Sequence, residues 1–126
     1  MEILSSRVLI RPRDLEVTTS FYRDTLGLAI YRVFPGGTVF FLGQGLLEVS
    51  GSSDGGQAAS AATQLWLQVR DLHDTAAELV LRGVKVLREP RREPWGLDEM
   101  WISDPDGLRI VLVEVPEGHP LRTDTR

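Results

Sequence analysis

Residues 7–11 alternate, with Val8 and Ile10 set against Arg7, Leu9 and Arg11, which is the period of a strand with two unlike faces. Pro12 ends that run. Asp14 is placed to cap a helix carrying Val17, Phe21, Thr25 and Leu26 near one face, and Gly27 supplies its stop. Three short β-rich runs follow, 29–34, 38–42 and 46–50. The Pro35-Gly36-Gly37 and Gly43-Gln44-Gly45 separators are turn chemistry, so the three predict a meander. The stretch 51–63, GSSDGGQAASAAT, is small, polar and aperiodic, and reads as a linker.

The same programme then restarts. Residues 64–69 alternate, with Leu65, Leu67 and Val69 against Gln64, Trp66 and Gln68. The Arg-Asp-Leu that followed the first strand recurs, so that Asp71 caps a helix carrying Leu72, Ala76, Leu79 and Val80 up to Gly83. Strands are expected at 84–88, 99–103 and 108–115, the last two joined by Asp104-Pro105-Asp106-Gly107. Each half is therefore β-α-β-β-β. A unit of that size cannot bury both its helix and its sheet face alone, and repeats pair to complete a core. The expected fold is α+β, with two paired βαβββ modules forming a curved mixed sheet around a cavity and the helices on the outer face. The first module takes residues 1–50, the linker 51–63, the second module 64–115 and a C-terminal tail 116–126, within one structural domain overall. Val8, Ile10, Leu65, Leu67 and Val69 are assigned to the helix side, and Arg7, Arg11, Gln64, Trp66 and Gln68 to the concave side.

Composition narrows the function classes. With no cysteine among 126 residues, a disulfide framework, a thiolate nucleophile and a sulfur-ligated metal are all excluded. A net charge of −4 disfavours a nucleic-acid partner, since binding to phosphates is dominated by neutralising cations. The arginine-containing runs 88–92 and 122–126 are interrupted by acids, prolines or threonines and read as solvated surface. No apolar run approaches bilayer length and no export signal is visible, so the expectation is a cytoplasmic protein without a membrane partner.

The concave face carries polar and aromatic groups that a ligand or water must satisfy. Trp66, Trp95 and Trp101 offer flat apolar surface for stacking a ring-containing molecule. The segments RPRDLEVTTSFYRDTLGL, QVRDLHDTAAELVLRGV and EPWGLDEMWISDPDGLRIVLVE resemble the glyoxalase, bleomycin-resistance and extradiol-dioxygenase superfamily, the vicinal oxygen chelate proteins, over residues 7–114. That resemblance implies paired βαβββ modules and commonly a homodimer. It implies no single chemistry, because the superfamily includes lyases, dioxygenases, epimerases and inert binders of antibiotics. Its metal-dependent members hold a divalent ion through the first and last strands of each module, at positions that correspond to Arg7, Glu48, Gln64 and Val111. Only Glu48 and Gln64 can ligate a metal, and a guanidinium at Arg7 repels one. Glu114, three residues beyond Val111, is expected on the opposite face. The two histidines, His73 early in the second helix and His119 in the tail, lie on no cavity strand, which argues against extradiol cleavage by a two-histidine iron site.

Two kinds of function follow. In the first, the protein is a metal-free binding module of the bleomycin-resistance-like type that sequesters or carries a planar, aromatic ligand such as an antibiotic or metabolite. Arg7 and Glu48 pair across the cavity, Trp66, Trp95 and Trp101 supply stacking surface, and Arg11, Gln64, Gln68 and Arg109 make polar contacts. No cofactor is expected. The net negative charge suits a cationic ligand but is too small to decide the matter. In the second, the protein is a glyoxalase-like lyase or isomerase with a divalent metal on Glu48 and Gln64, and Glu48 is its catalytic residue. A fold member with a vestigial pocket is the third reading. The segment 87–99, with two prolines and a glycine around Trp95, is expected either to close over the cavity as a loop with Trp95 at its tip or to be an ordinary connection between strands.

Overall fold

The computed structural model describes residues 1–121, so the expected basic run at 122–126, the end of the expected tail, lies outside the described residues. The chain forms two compact units, Met1–Ser60 with Pro105–Gly107, and Ala61–Asp104 with the chain from Leu108 onward. In the first unit, β1 (Val8–Ile10) leads into α1 (Leu15–Ser20) and a π-helical turn (Phe21–Thr25). The strands β2 (Ile30–Phe34), β3 (Gly37–Leu42) and β4 (Gly45–Ser50) follow. The second unit repeats that order as β5 (Gln64–Gln68), α2 (Leu72–Leu81), β6 (Lys85–Arg92), β7 (Asp98–Ser103) and β8 (Arg109–Glu114). The sheets run β1-β4-β3-β2 and β5-β8-β7-β6, with the first strand of each parallel to the last and the remaining pairs antiparallel. The α+β class and the doubled βαβββ order expected from the hydrophobic pattern are both present.

Each helix begins where its capping residue requires. Asp14 is in extended backbone and its carboxylate accepts from Val17 N at 3.1 Å, and Asp71 accepts from Asp74 N at 2.9 Å in the same way. Under α1 the core is built from Tyr22, Phe40, Leu47 and Val49, all fully buried, with the Tyr22 and Phe40 rings 6.4 Å apart. In the second unit Met100, Ile102, Ile110 and Leu112 alternate onto the side that α2 covers with Leu72 and Leu79. Glu114 belongs to that side as well, because its Oε1 accepts from Leu72 N at 2.8 Å at the start of α2.

The longest departure from the sequence reading is at 84–98. β6 runs on to Arg92, so the joint to β7 spans only residues 93–97, closed by Glu93 N to Leu97 O at 2.8 Å and Gly96 N to Glu93 O at 2.9 Å. Of the segment 87–99, residues 87–92 thus belong to a strand, and Trp95 lies in the five-residue turn that follows it. The strand accommodates Pro90 because β6 is the edge of its sheet, where a missing N–H breaks no ladder bond. Among the described residues no helix is long and apolar enough to cross a membrane.

Candidate functional site

Residues paired across neighbouring strands share a face, so the registers state which side chains lie opposite the helix in each unit. In the first unit Leu9 is beside Glu48 and Glu48 beside Val39. Arg7, two residues before Leu9, therefore emerges on the same face, and its Nη1 donates to Glu48 Oε1 at 3.0 Å. Ser50 completes the group by donating its hydroxyl to Glu48 Oε2 at 2.8 Å. The hydrogen bond from Ser50 holds the Glu48 carboxyl below its ordinary range. Desolvation pushes it back up, and Arg7 and then Arg11 lower it further. Arg11 remains exposed, with no side-chain hydrogen bond among the described residues.

In the second unit Gln64 lies beside Arg109, Trp66 beside Val111 and Gln68 beside Val113. Gln64, Trp66 and Gln68 are exposed, so β5 presents a polar edge around a half-exposed indole. The centre of the same face is filled differently from expectation. Val111, Val113, Leu97 and Val115 form a buried apolar cluster, and Trp101 packs against it. Trp101 is therefore a partly buried wall of that cluster and not an open stacking platform. Trp95 is exposed but tethered, since its Nε1 donates to Glu99 Oε2 at 2.9 Å and its carbonyl oxygen is 3.1 Å from His119 Nε2.

Three charged residues of this face were missed. Glu93 and Glu99 are almost fully buried, at 4% and 6% exposure, and Arg88 donates to Glu93 while lying with its guanidinium 3.8 Å from the centre of the Trp101 ring. The reading of 88–92 as solvated surface holds for Arg91 and Arg92 and fails for Arg88. A β-bulge is the cause. Val86 pairs with Ile102 on the helix side, and regular alternation would keep Arg88 there with it. The irregularity between them sets Arg88 opposite Trp101 instead. The first unit has the same device in β2, where a bulge between Ile30 and Arg32 sets Arg32 opposite Val39, on the Glu48 face. Glu99 was available to the pattern, being two residues from Trp101 in an alternating strand.

The metal positions implied by the resemblance have surroundings of two kinds. In the first unit, the only carboxylate at those positions is engaged by a guanidinium and a hydroxyl. In the second, Gln64 stands exposed and Val111 lies in an apolar cluster. No group of three or more His, Cys, Asp or Glu converges among the described residues. Arg7 neutralises the one anionic donor and Val111 offers none, so the donor set does not fit a divalent ion.

Residues 5–112 match the sequence profile of the Glyoxalase/Bleomycin resistance protein/Dioxygenase superfamily. Among solved structures, a member of that superfamily from Sphaerobacter thermophilus DSM 20745 is 27% identical. The match covers 90% of this chain and 98% of that one, with a TM-score of 0.73. A glyoxalase-related enzyme from Fulvimarina pelagi is 19% identical over 92% and 90% of the two chains, with a TM-score of 0.74. A lactoylglutathione lyase from Agrobacterium tumefaciens is 19% identical over 90% and 92%, with a TM-score of 0.64. The last two likenesses are of fold alone. No protein of curated function matches the sequence.

Proposed function

The chain belongs to the Glyoxalase/Bleomycin resistance protein/Dioxygenase superfamily, and from that premise we propose that it is a metal-free binding protein of the bleomycin-resistance-like type, sequestering or carrying a planar, aromatic small molecule. The observation that carries this reading is the Arg7–Glu48 ion pair at 3.0 Å, formed where the resemblance implies metal ligands. A guanidinium is a cation that only donates, so the position offers a metal no ligand atom. The same pair argues against a metal-free enzyme with Glu48 as its base. A carboxyl held low by Ser50 and Arg7 accepts a proton poorly near neutrality.

In this reading Trp66 is the stacking surface, since its indole is half exposed and shares its face with Gln64 and Gln68. The two glutamines, which spend no side-chain hydrogen bond within the described residues, supply the polar contacts. The protein works as a homodimer. Large apolar side chains including Leu4, Val33, Phe41 and Leu81 are exposed in the single chain, and covering them is the drive for association.

Titrating the intrinsic tryptophan fluorescence with a panel of planar aromatic antibiotics and metabolites tests the proposal, with each mixture then analysed by mass spectrometry. Saturable quenching with the ligand recovered unchanged is expected, and Trp66→Ala should weaken it about three- to tenfold. Conversion of a bound compound to product by the metal-free protein would overturn the binder in favour of an enzyme.

A further inference from the structure

Trp101 has an arginine from each neighbouring strand against its ring. Arg88 of β6 lies 3.8 Å and Arg109 of β8 4.4 Å from the ring centre. Two donors in this group are buried and unsatisfied, Trp101 Nε1 and Arg88 Nε. A buried donor without a partner is costly, and both of these can only donate, so what they lack is an acceptor. The nearby carboxylates are already engaged. Glu93 receives Arg88 and Arg91, and Glu99 receives the Trp95 indole. Among the described residues the Arg109 side chain has no hydrogen bond and no ion pair, so its guanidinium can turn toward an incoming group without breaking one.

Charge points the same way. Arg88, Arg91 and Arg109 stand against Glu93 and Glu99, a local excess of one positive charge within a chain whose overall charge is −4. Burial lowers the Arg88 guanidinium from its ordinary range, and Arg91 and Arg109 push it in the same direction. The face therefore has an uncompensated cation and two idle donors beside an aromatic wall. A cationic ligand, suggested by the overall charge, would meet repulsion here.

We propose that Arg109 and the Trp101 indole N–H form a carboxylate-binding subsite, so that the ligand is the anion of a planar aromatic acid. The proposal rests on the binding reading above and adds the charge of the ligand and the residues that select it. The acid group accepts from Trp101 Nε1 and takes the Arg109 fork, while its ring system lies against the half-exposed Trp66 indole of the same face.

Matched probes separate this claim from the broader one. Isothermal titration of the full chain with 2-naphthoate, 2-naphthamide and 2-naphthylmethylammonium varies charge on a fixed ring system. Naphthoate should bind at least about tenfold more tightly than the amide. Arg109→Gln should abolish that preference, and Arg109→Lys should keep part of it. Trp101→Phe retains a ring, removes the N–H and should cost naphthoate alone about fivefold. Unchanged far-ultraviolet dichroism verifies folding of each variant. Equal binding of acid and amide, tighter binding of the ammonium probe, or a preference that survives Arg109→Gln would overturn the subsite while leaving a planar-ligand binder standing. Binding by none of the three would remove both.

Discussion

Glu48 sits where a catalytic or metal-binding carboxylate is implied, and its neighbours have turned it into a fixed anion. Its carboxyl is held below the ordinary range first by Ser50 and then, after an opposing desolvation, by Arg7 and Arg11. A depressed folded-state value means that the carboxylate contributes stability above its unfolded value, about 4.3. That contribution is lost as pH falls through the lower folded value. Carbon-13 detection of the Glu48 carboxyl should thus show a midpoint below that of a free glutamate, and Ser50→Ala should move it upward. An unshifted midpoint would contradict the geometry. Truncating Arg7 to alanine should cost about 1–2 kcal/mol in urea unfolding, between an exposed and a buried pair, because the two side chains are 33% and 14% exposed. This pair was legible beforehand, since the resemblance assigns both residues to one ligand set and strand alternation puts Arg7 opposite the helix. Ser50 obeyed the same alternation two residues from Glu48, but a serine at a strand end beside glycine reads as turn chemistry.

Elements show what alternation cannot deliver. The helix starts were readable because an aspartate ahead of an apolar periodicity has one efficient use, to accept the idle N–H groups of the first turn. Glu114 reinforces the second of these starts from another strand, through Leu72 N. Asp71→Ala and Glu114→Ala should each lower stability by about 1 kcal/mol by denaturant unfolding without changing ligand affinity. A loss of affinity in Glu114→Ala would place that carboxylate on the wrong face. The bulges were not readable, since an inserted residue leaves no mark in a local pattern, and they decide that Arg88 and Arg32 leave the helix side. The hairpin end carrying Trp95 was half legible. Its prolines and glycine marked a turn, but not that the indole would satisfy the buried Glu99. Trp95→Ala should accordingly act on stability, by about 1–3 kcal/mol, more than on ligand binding. Thermal unfolding beside a binding titration compares the two.

Across the whole chain the doubled topology accounts for both its order and its asymmetry. Two modules share strand order, helix cap and an arginine turned by a bulge, yet the positions to which the resemblance assigns metal ligands have diverged into Arg7 with Glu48 in one and Gln64 with Val111 in the other. The repeat was legible because its hydrophobic period restarts after the linker, and the divergence because ligand chemistry depends on residue type. The filling of the Trp101 face by Leu97 and the valines was not, since it depends on how a short turn folds back onto the sheet. Sedimentation velocity at micromolar concentration should find a dimer, and a monomer throughout would remove the association proposed for the exposed apolar residues. The absence of a functional metal is tested most directly by elemental analysis of protein purified without chelators, joined to thermal unfolding with each common divalent ion. Substoichiometric metal and no ion-specific stabilisation are predicted, whereas one bound equivalent or a large shift with a single ion would contradict the account.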